Sequence, residues 1–131
     1  MREILFRGKK AYNSKWIEGY FYSGQNNDSY IIIHSKGYPS AKFIRVLPET
    51  VGQYTGLTDK NGTKIFEGDV VSGHLDDLFP EDETRYKVIW DDYGWHIRNS
   101  TGTDTFEQGW ARQYFEVIGN IHDNPELLKN N

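Results

Sequence analysis

A mainly β fold is what this sequence predicts, and three observations carry it. Short extended segments of alternating or aromatic character recur along the chain, and 13 glycines fall at their ends. Aromatic residues make up 15% of the 131 residues, a share that suits the interior of a small barrel and equally an exposed binding face. Many short strands with glycine turns argue for a barrel or for a pair of packed sheets. The length fits one domain, or two small lobes sharing a core.

The elements follow in order. Ile4 to Arg7 and Trp16 to Tyr22 read as the first two strands, separated by Asn13-Ser14. Gln25 to Ser29 is a polar loop, Tyr30-Ile-Ile-Ile33 a buried strand, and Gly37-Tyr-Pro39 a turn. Phe43 to Leu47 alternates into the next strand, which Pro48 ends because it has no N–H to give a ladder. Val51 to Tyr54 is extended again, and Asp59 to Gly62 carries the Asn-Gly pair that tolerates positive φ in a hairpin turn. Ile65 and Phe66 return, and Glu67-Gly68-Asp69 bends the chain into Val70-Val71.

Gly73 to Glu83 is the longest stretch without periodicity. Tyr86-Lys-Val-Ile-Trp90 alternates, and Asp91-Asp-Tyr-Gly94 turns it into Trp95-His-Ile-Arg98, a hairpin. Thr105-Phe-Glu-Gln108 has the form of a capping box opening one helical turn. Phe115 to Ile121 is the last strand, with Val117 and Ile121 on the face of Phe115. Asn124-Pro125 supplies an N-cap and a proline at the first helical position, so Glu126 to Lys129 are expected to form a short terminal helix.

Composition narrows the chemistry. Without cysteine there is no disulfide, thiolate nucleophile or cysteine zinc site. Met1-Arg-Glu-Ile-Leu-Phe-Arg-Gly is charged and unlike an export signal, and no apolar run approaches the roughly 20 residues of a membrane-spanning helix, so a cytoplasmic protein away from membranes is expected. Asn27-Asp-Ser, Asn61-Gly-Thr and Asn99-Ser-Thr then read as turns rather than glycosylation acceptors. The net charge of −4 conceals a division: up to Lys64 there are 10 Lys or Arg against 5 Asp or Glu, and beyond it 5 against 14. A dipolar chain of this kind steers partners of either sign or stacks on itself.

Motifs for catalysis are missing. There is no P-loop, dinucleotide-binding fingerprint or nucleophile elbow. His34, His74, His96 and His122 are scattered, and only His74 with Asp76, Asp77 and Glu81 resembles a divalent-metal site. That run lacks the fixed turn and spaced oxygen donors of a calcium loop and reads as a solvated acidic loop. Asp69, Asp91 and Asp92 offer an acid and a base to a cleft lined by Trp90, Trp95 and Trp110, but hairpin turn chemistry explains Asp91-Asp92 better. No catalytic residue, cofactor or metal is expected.

Three blocks resemble one family. Val51-Gly-Gln-Tyr-Thr-Gly-Leu-Thr-Asp-Lys-Asn-Gly-Thr-Lys-Ile-Phe-Glu-Gly-Asp-Val-Val71 is one. Phe6-Arg-Gly-Lys9 with Trp16-Ile-Glu-Gly-Tyr20, and Glu116-Val-Ile-Gly-Asn-Ile121 with Asn124-Pro-Glu-Leu127, are the others. In this order they are similar to the YopX family, small proteins encoded by bacteriophages and prophages. The resemblance implies a single domain over 1–131, with an N-terminal antiparallel β region over about 1–50 packed with a C-terminal part over about 51–131. That second part would be a small antiparallel barrel of the Src-homology-3 type, followed by the short C-terminal helix. It also implies a phage or prophage protein in a bacterial host, and no reaction comes with it; with catalytic motifs missing, a non-catalytic accessory protein is expected. Turn chemistry accounts for Gly52, Gly56, Gly62, Gly68, Glu67 and Asp69.

Two binding functions are expected. The first is a protein-interaction module, with a barrel groove of Tyr86, Trp90, Trp95 and Tyr114 beside the acidic Asp76, Asp77, Glu81, Asp82 and Glu83. It would take a basic or proline-rich segment of a host or phage protein. The alternative is nucleic acid held by Arg2, Arg7, Lys9, Lys10, Lys15 and Trp16, with Phe6 and Tyr12 interleaved, where bases stack and cations meet phosphates. Homo-oligomers through the basic and acidic halves, and carbohydrate stacked on aromatics, are further readings.

Overall fold

The computed structural model describes residues 3–34, 40–73 and 84–129. The expected turn at Gly37 to Pro39 and nearly all of the Gly73 to Glu83 stretch lie outside them. The chain divides into two compact units, Met1–Tyr54 and Thr55–Asn131.

In the first unit, β1 (Phe6–Lys9), β2 (Trp16–Ser23), β3 (Ser29–Ile33), β4 (Lys42–Val46) and the opening residues of β5 (Gly52–Thr58) form antiparallel ladders in the order β4-β3-β2-β1-β5. Residues directly opposite each other share a face. Phe21, Ile31 and Ile44 are matched across β2, β3 and β4, and Ile31 and Val46 are fully buried. Gly8 lets β1 approach Val46 closely, since an added Cβ would lie 3.1 Å from that side chain and press it aside. Pro48 ends β4 as expected: the chain enters a 3-10 turn at Pro48–Thr50, where the Thr50 hydroxyl donates to Leu47 O (2.6 Å) and accepts from Lys9 N (2.9 Å).

In the second unit the rest of β5 pairs with β6 (Lys64–Phe66). The turn between them depends on Gly62, whose φ of +80° closes the Asp59-to-Gly62 hydrogen bond (3.0 Å). Then come β7 (Asp69–Gly73), β8 (Thr84–Asp91), β9 (Gly94–Asn99), β10 (Gly102–Thr105), α1 (Gln108–Tyr114) and β11 (Glu116–Asn120). A 3-10 turn at Pro125–Leu128 follows, with Asn124 at its N-cap. The antiparallel order is β10-β9-β8-β7-β11. Ile65, Val71, Val88, Ile97, Phe106, Ala111 and Phe115 form the buried core, flanked by Leu57, Tyr86, Trp95, Tyr114 and Val117.

The expected barrel is not formed. β10 and β11 stand at opposite edges of their sheet, and among the described residues no ladder joins them, so the described sheets are open and antiparallel. Closure would need those two edges to pair. The chain between them is instead spent on α1. Ala111 of the helix, with Phe106 before it and Phe115 after it, covers the apolar face that a barrel would have curled over itself.

Two local expectations also change. Thr105 ends β10 and Glu107 is the N-cap of α1, with no side-chain cap bond, so no capping box forms. The Gln108 amide is engaged elsewhere, accepting from Thr58 N (3.2 Å) and donating to Thr58 O (3.1 Å). The register of β11 on β7 shifts between Val117 and Gly119, a bulge that interrupts the alternation expected from Phe115 to Ile121.

Candidate nucleic-acid interface

The open face of the first unit gathers aromatic and cationic side chains that the ladders place together. Register sets Lys9 opposite Trp16 and Arg7 opposite Glu18, and it aligns Tyr20, Ile32 and Phe43 in one row across β2, β3 and β4 and Tyr22, Tyr30 and Arg45 in the next. All of these lie on the side turned away from buried Ile31 and Val46. Tyr20 is 60% exposed, Phe43 55% and Tyr22 48%, so the aromatics form a contiguous surface rather than core. Tyr22, Tyr30 and Phe43 form a ring cluster with centroids 5.7–6.3 Å apart. The Arg7 guanidinium carbon stands 4.6 Å from the Trp16 ring centroid and Lys9 Nζ 5.6 Å from it, both in cation–π range. Arg45 carries a surface ion pair with Asp28 at 3.2 Å.

Of the cations and the tryptophan expected to hold nucleic acid, the structure brings Arg7, Lys9 and Trp16 onto this face. Lys10 sits at an isolated bridge to Val46 and lies 5.8 Å from the exposed Tyr12 ring. Lys15 is exposed just before β2. Phe6 is on the opposite side, 5.6 Å from Phe21, and Arg2 is outside the described residues. Tyr20, Tyr22, Tyr30, Phe43 and Arg45 were not anticipated. Period-two spacing of Trp16, Tyr20 and Tyr22 was the available signal, masked by apolar Ile17 and Phe21 on the alternate positions.

The residues anticipated for a protein groove are placed differently. Tyr86, Trp95 and Tyr114 pack against the second core, with Tyr86 6.0 Å from Phe115 in an edge-on contact. Trp90 is half exposed and meets Trp95 edge-on at 4.9 Å. The groove loses its premise with the barrel, and Asp76, Asp77, Glu81, Asp82 and Glu83 are outside the described residues, as is His74. Burial raises the Tyr86 phenol above its ordinary value of 10.0, against an opposing hydrogen bond with Thr84 and with a further push from Asp104.

The acid–base candidates are dispersed into structural roles. Buried Asp69 accepts from Phe66 N at 2.7 Å, Asp91 pairs with Arg98 at 2.8 Å, and Asp92 is a turn residue at φ +47°. Asp59, a turn residue by its sequence, is almost wholly buried and accepts from the backbone N–H groups of Asn61, Thr63 and Val117, each at 2.9 Å. Among the described residues no three His, Asp or Glu side chains are grouped to hold a metal ion, and no helix is long and apolar enough to cross a membrane.

Fold and surface together define a small two-unit β protein carrying an open aromatic and cationic sheet face. The chain belongs to the YopX family of phage and prophage proteins: the family model, described as YopX protein, matches residues 5–129. Solved structures agree on the fold. Protein EF1440 from Enterococcus faecalis is similar at 24% identity with a TM-score of 0.62, over 98% of this chain and 100% of that one. Protein yopX from Bacillus subtilis is similar at 17% identity with a TM-score of 0.59, over 100% of this chain and 99% of that one. No curated protein matches.

Proposed function

We propose that this protein binds single-stranded nucleic acid on the exposed face of β1–β4, and acts by binding rather than by chemistry. The observation that carries the reading is the ladder alignment of Tyr20, Tyr22, Tyr30 and Phe43 with Arg7, Lys9 and Trp16 on one solvent-facing side. Exposed rings accept bases regardless of sequence, while flanking cations meet the phosphates between them. A duplex hides its base faces in the stack, so a flat aromatic surface favours single strands. Charge points the same way, since residues 1–54 hold 8 Lys or Arg against 4 Asp or Glu, whereas residues 55–131 hold 7 against 15.

Fluorescence anisotropy of labelled single-stranded oligonucleotides tests the reading. Phe43→Ala or Tyr22→Ala should weaken binding by about 5- to 150-fold, the loss of one stacked base. Full affinity in both variants would remove the aromatic face as the site. A second reading is favoured by the β8–β9 turn, where Trp90 and Tyr93 are 51% and 93% exposed: a host or phage protein docks there. Nuclease-resistant capture of a defined protein, lost on Trp90→Ala with Tyr93→Ala, supports it; capture unaffected by that double change opposes it.

A further inference from the structure

The second unit carries a separate feature that neither binding reading uses. A cavity of about 290 Å³ opens between the outer face of β8–β9 and the 3-10 turn, lined by Lys87, Arg98, Asn99, Ser100 and Leu128. We propose that it binds a small oxyanionic ligand, a phosphate or carboxylate group held by Lys87 and Arg98.

The argument begins with register. Lys87 of β8 stands directly opposite Arg98 of β9, and like charges so placed on one sheet face repel. This occurs in a unit where acidic residues outnumber basic ones 15 to 7, so cations are scarce there and opposite charge is plentiful. Arg98 is partly compensated: its Nε donates to Thr103 Oγ1 and one terminal nitrogen to Asp91 Oδ2, both at 2.8 Å. Those bonds fix the guanidinium plane and leave its other terminal nitrogen as a donor. Lys87 is half-buried and has no ion pair among the described residues. An anion between the two cations would relieve the repulsion and engage the unused donors of both.

The rest of the wall is held in place. The Asn99 side chain is held in place, donating one N–H to Arg85 O (3.2 Å) and accepting at its oxygen from the Thr101 N–H (2.9 Å) and hydroxyl (2.6 Å), which leaves its second N–H as a further donor. Arg85 Nη1 donates to Leu127 O at 3.3 Å, which pins the 3-10 turn and sets Leu128 as an apolar side. The volume equals that of about ten water molecules, at the lower end for small-ligand sites. An oxyanion carried on a short organic body that rests on Leu128 fits better than a bare ion.

The test is a titration of isotope-labelled full-length chain, followed by amide chemical shifts, with sodium phosphate and separately with sodium citrate. Sodium chloride at matched ionic strength is the control. Saturable shifts at Lys87, Arg98, Ser100 and Leu128 are expected with phosphate, with citrate or with both, and the responding salt identifies a phosphoryl or a carboxylate ligand. Lys87→Gln should weaken that binding by about tenfold or more, and Lys87→Arg should preserve it. Shifts that only follow ionic strength in the wild-type chain, or a Lys87→Gln variant that titrates like wild type, would overturn the proposal.

Discussion

Replacing Asp59 should be among the most damaging single changes in the second unit. Its carboxylate is 2% exposed and accepts three backbone N–H bonds of 2.9 Å, two within its own turn and one from Val117 of β11. Bonds to a charged group contribute about 1.5–3 kcal/mol each, which sets an upper range of about 5–9 kcal/mol for the three. Asn61 and Thr63 are exposed turn residues whose N–H groups regain water once the carboxylate is gone; the Val117 N–H is part-buried and less able to. The loss for Asp59→Ala is therefore about 3–4 kcal/mol, a large part of the stability of a domain this size. Asp59→Asn keeps one carbonyl oxygen for the turn but sets an NH2 against the N–H of Val117, for about 1–2 kcal/mol. Urea unfolding with the slope checked for constancy reads both values. An Asp59→Ala chain within about 0.5 kcal/mol of wild type would refute the reasoning, as would Asp59→Asn losing as much as Asp59→Ala.

Further outcomes follow from the same packing. Gly73→Ala would place a Cβ 2.5 Å from Tyr114 O and 2.6 Å from the Phe115 ring, so it should cost about 2–3 kcal/mol in thermal or urea unfolding; a loss under about 0.5 kcal/mol would show that the end of α1 gives way freely. Because the folded state raises the Tyr86 phenol, its contribution to stability is fully present below the unfolded value of about 10 and is lost as pH rises through the folded one. Tyr86→Phe should accordingly lose less stability than wild type as pH rises past about 10, and parallel alkaline curves for the two chains would contradict it.

Much of the strand pattern was legible in the sequence because turn residues mark it. Pro48 ends a strand where predicted, Gly62 adopts its positive φ, and the β8–β9 hairpin turns at Asp92 and Tyr93. β10 was missed because Gly102-Thr-Asp-Thr105 is polar and exposed, so no alternation advertises it. Closure of a sheet is not written in local periodicity: whether the edges β10 and β11 meet depends on what lies between them. There α1 buries Ala111 where a barrel wall was expected. The aromatic face was half legible. Arg7, Lys9 and Trp16 were picked out from composition, but both faces of β2 carry aromatic residues, and only the register with β3 and β4 tells Tyr20 and Tyr22 from Phe21. Asp59 reads as an ordinary turn aspartate until Val117 is seen reaching its second oxygen from a strand 58 residues away.

The central claim is tested most directly by the salt dependence of single-stranded oligonucleotide binding. Arg7, Lys9 and Arg45 are the cations of this face, and each meets a phosphate by exchanging its present partner, as Arg45 can exchange its weak exposed pair with Asp28. At about −0.7 per neutralised phosphate, the logarithm of affinity should fall against the logarithm of salt with a slope of about −2, roughly a twentyfold loss for a fourfold rise in salt. The account predicts that slope in wild type, a shallower one in Arg7→Gln with Lys9→Gln, and much weaker binding of the corresponding duplex. No anisotropy change with single-stranded DNA or RNA at low salt would contradict it.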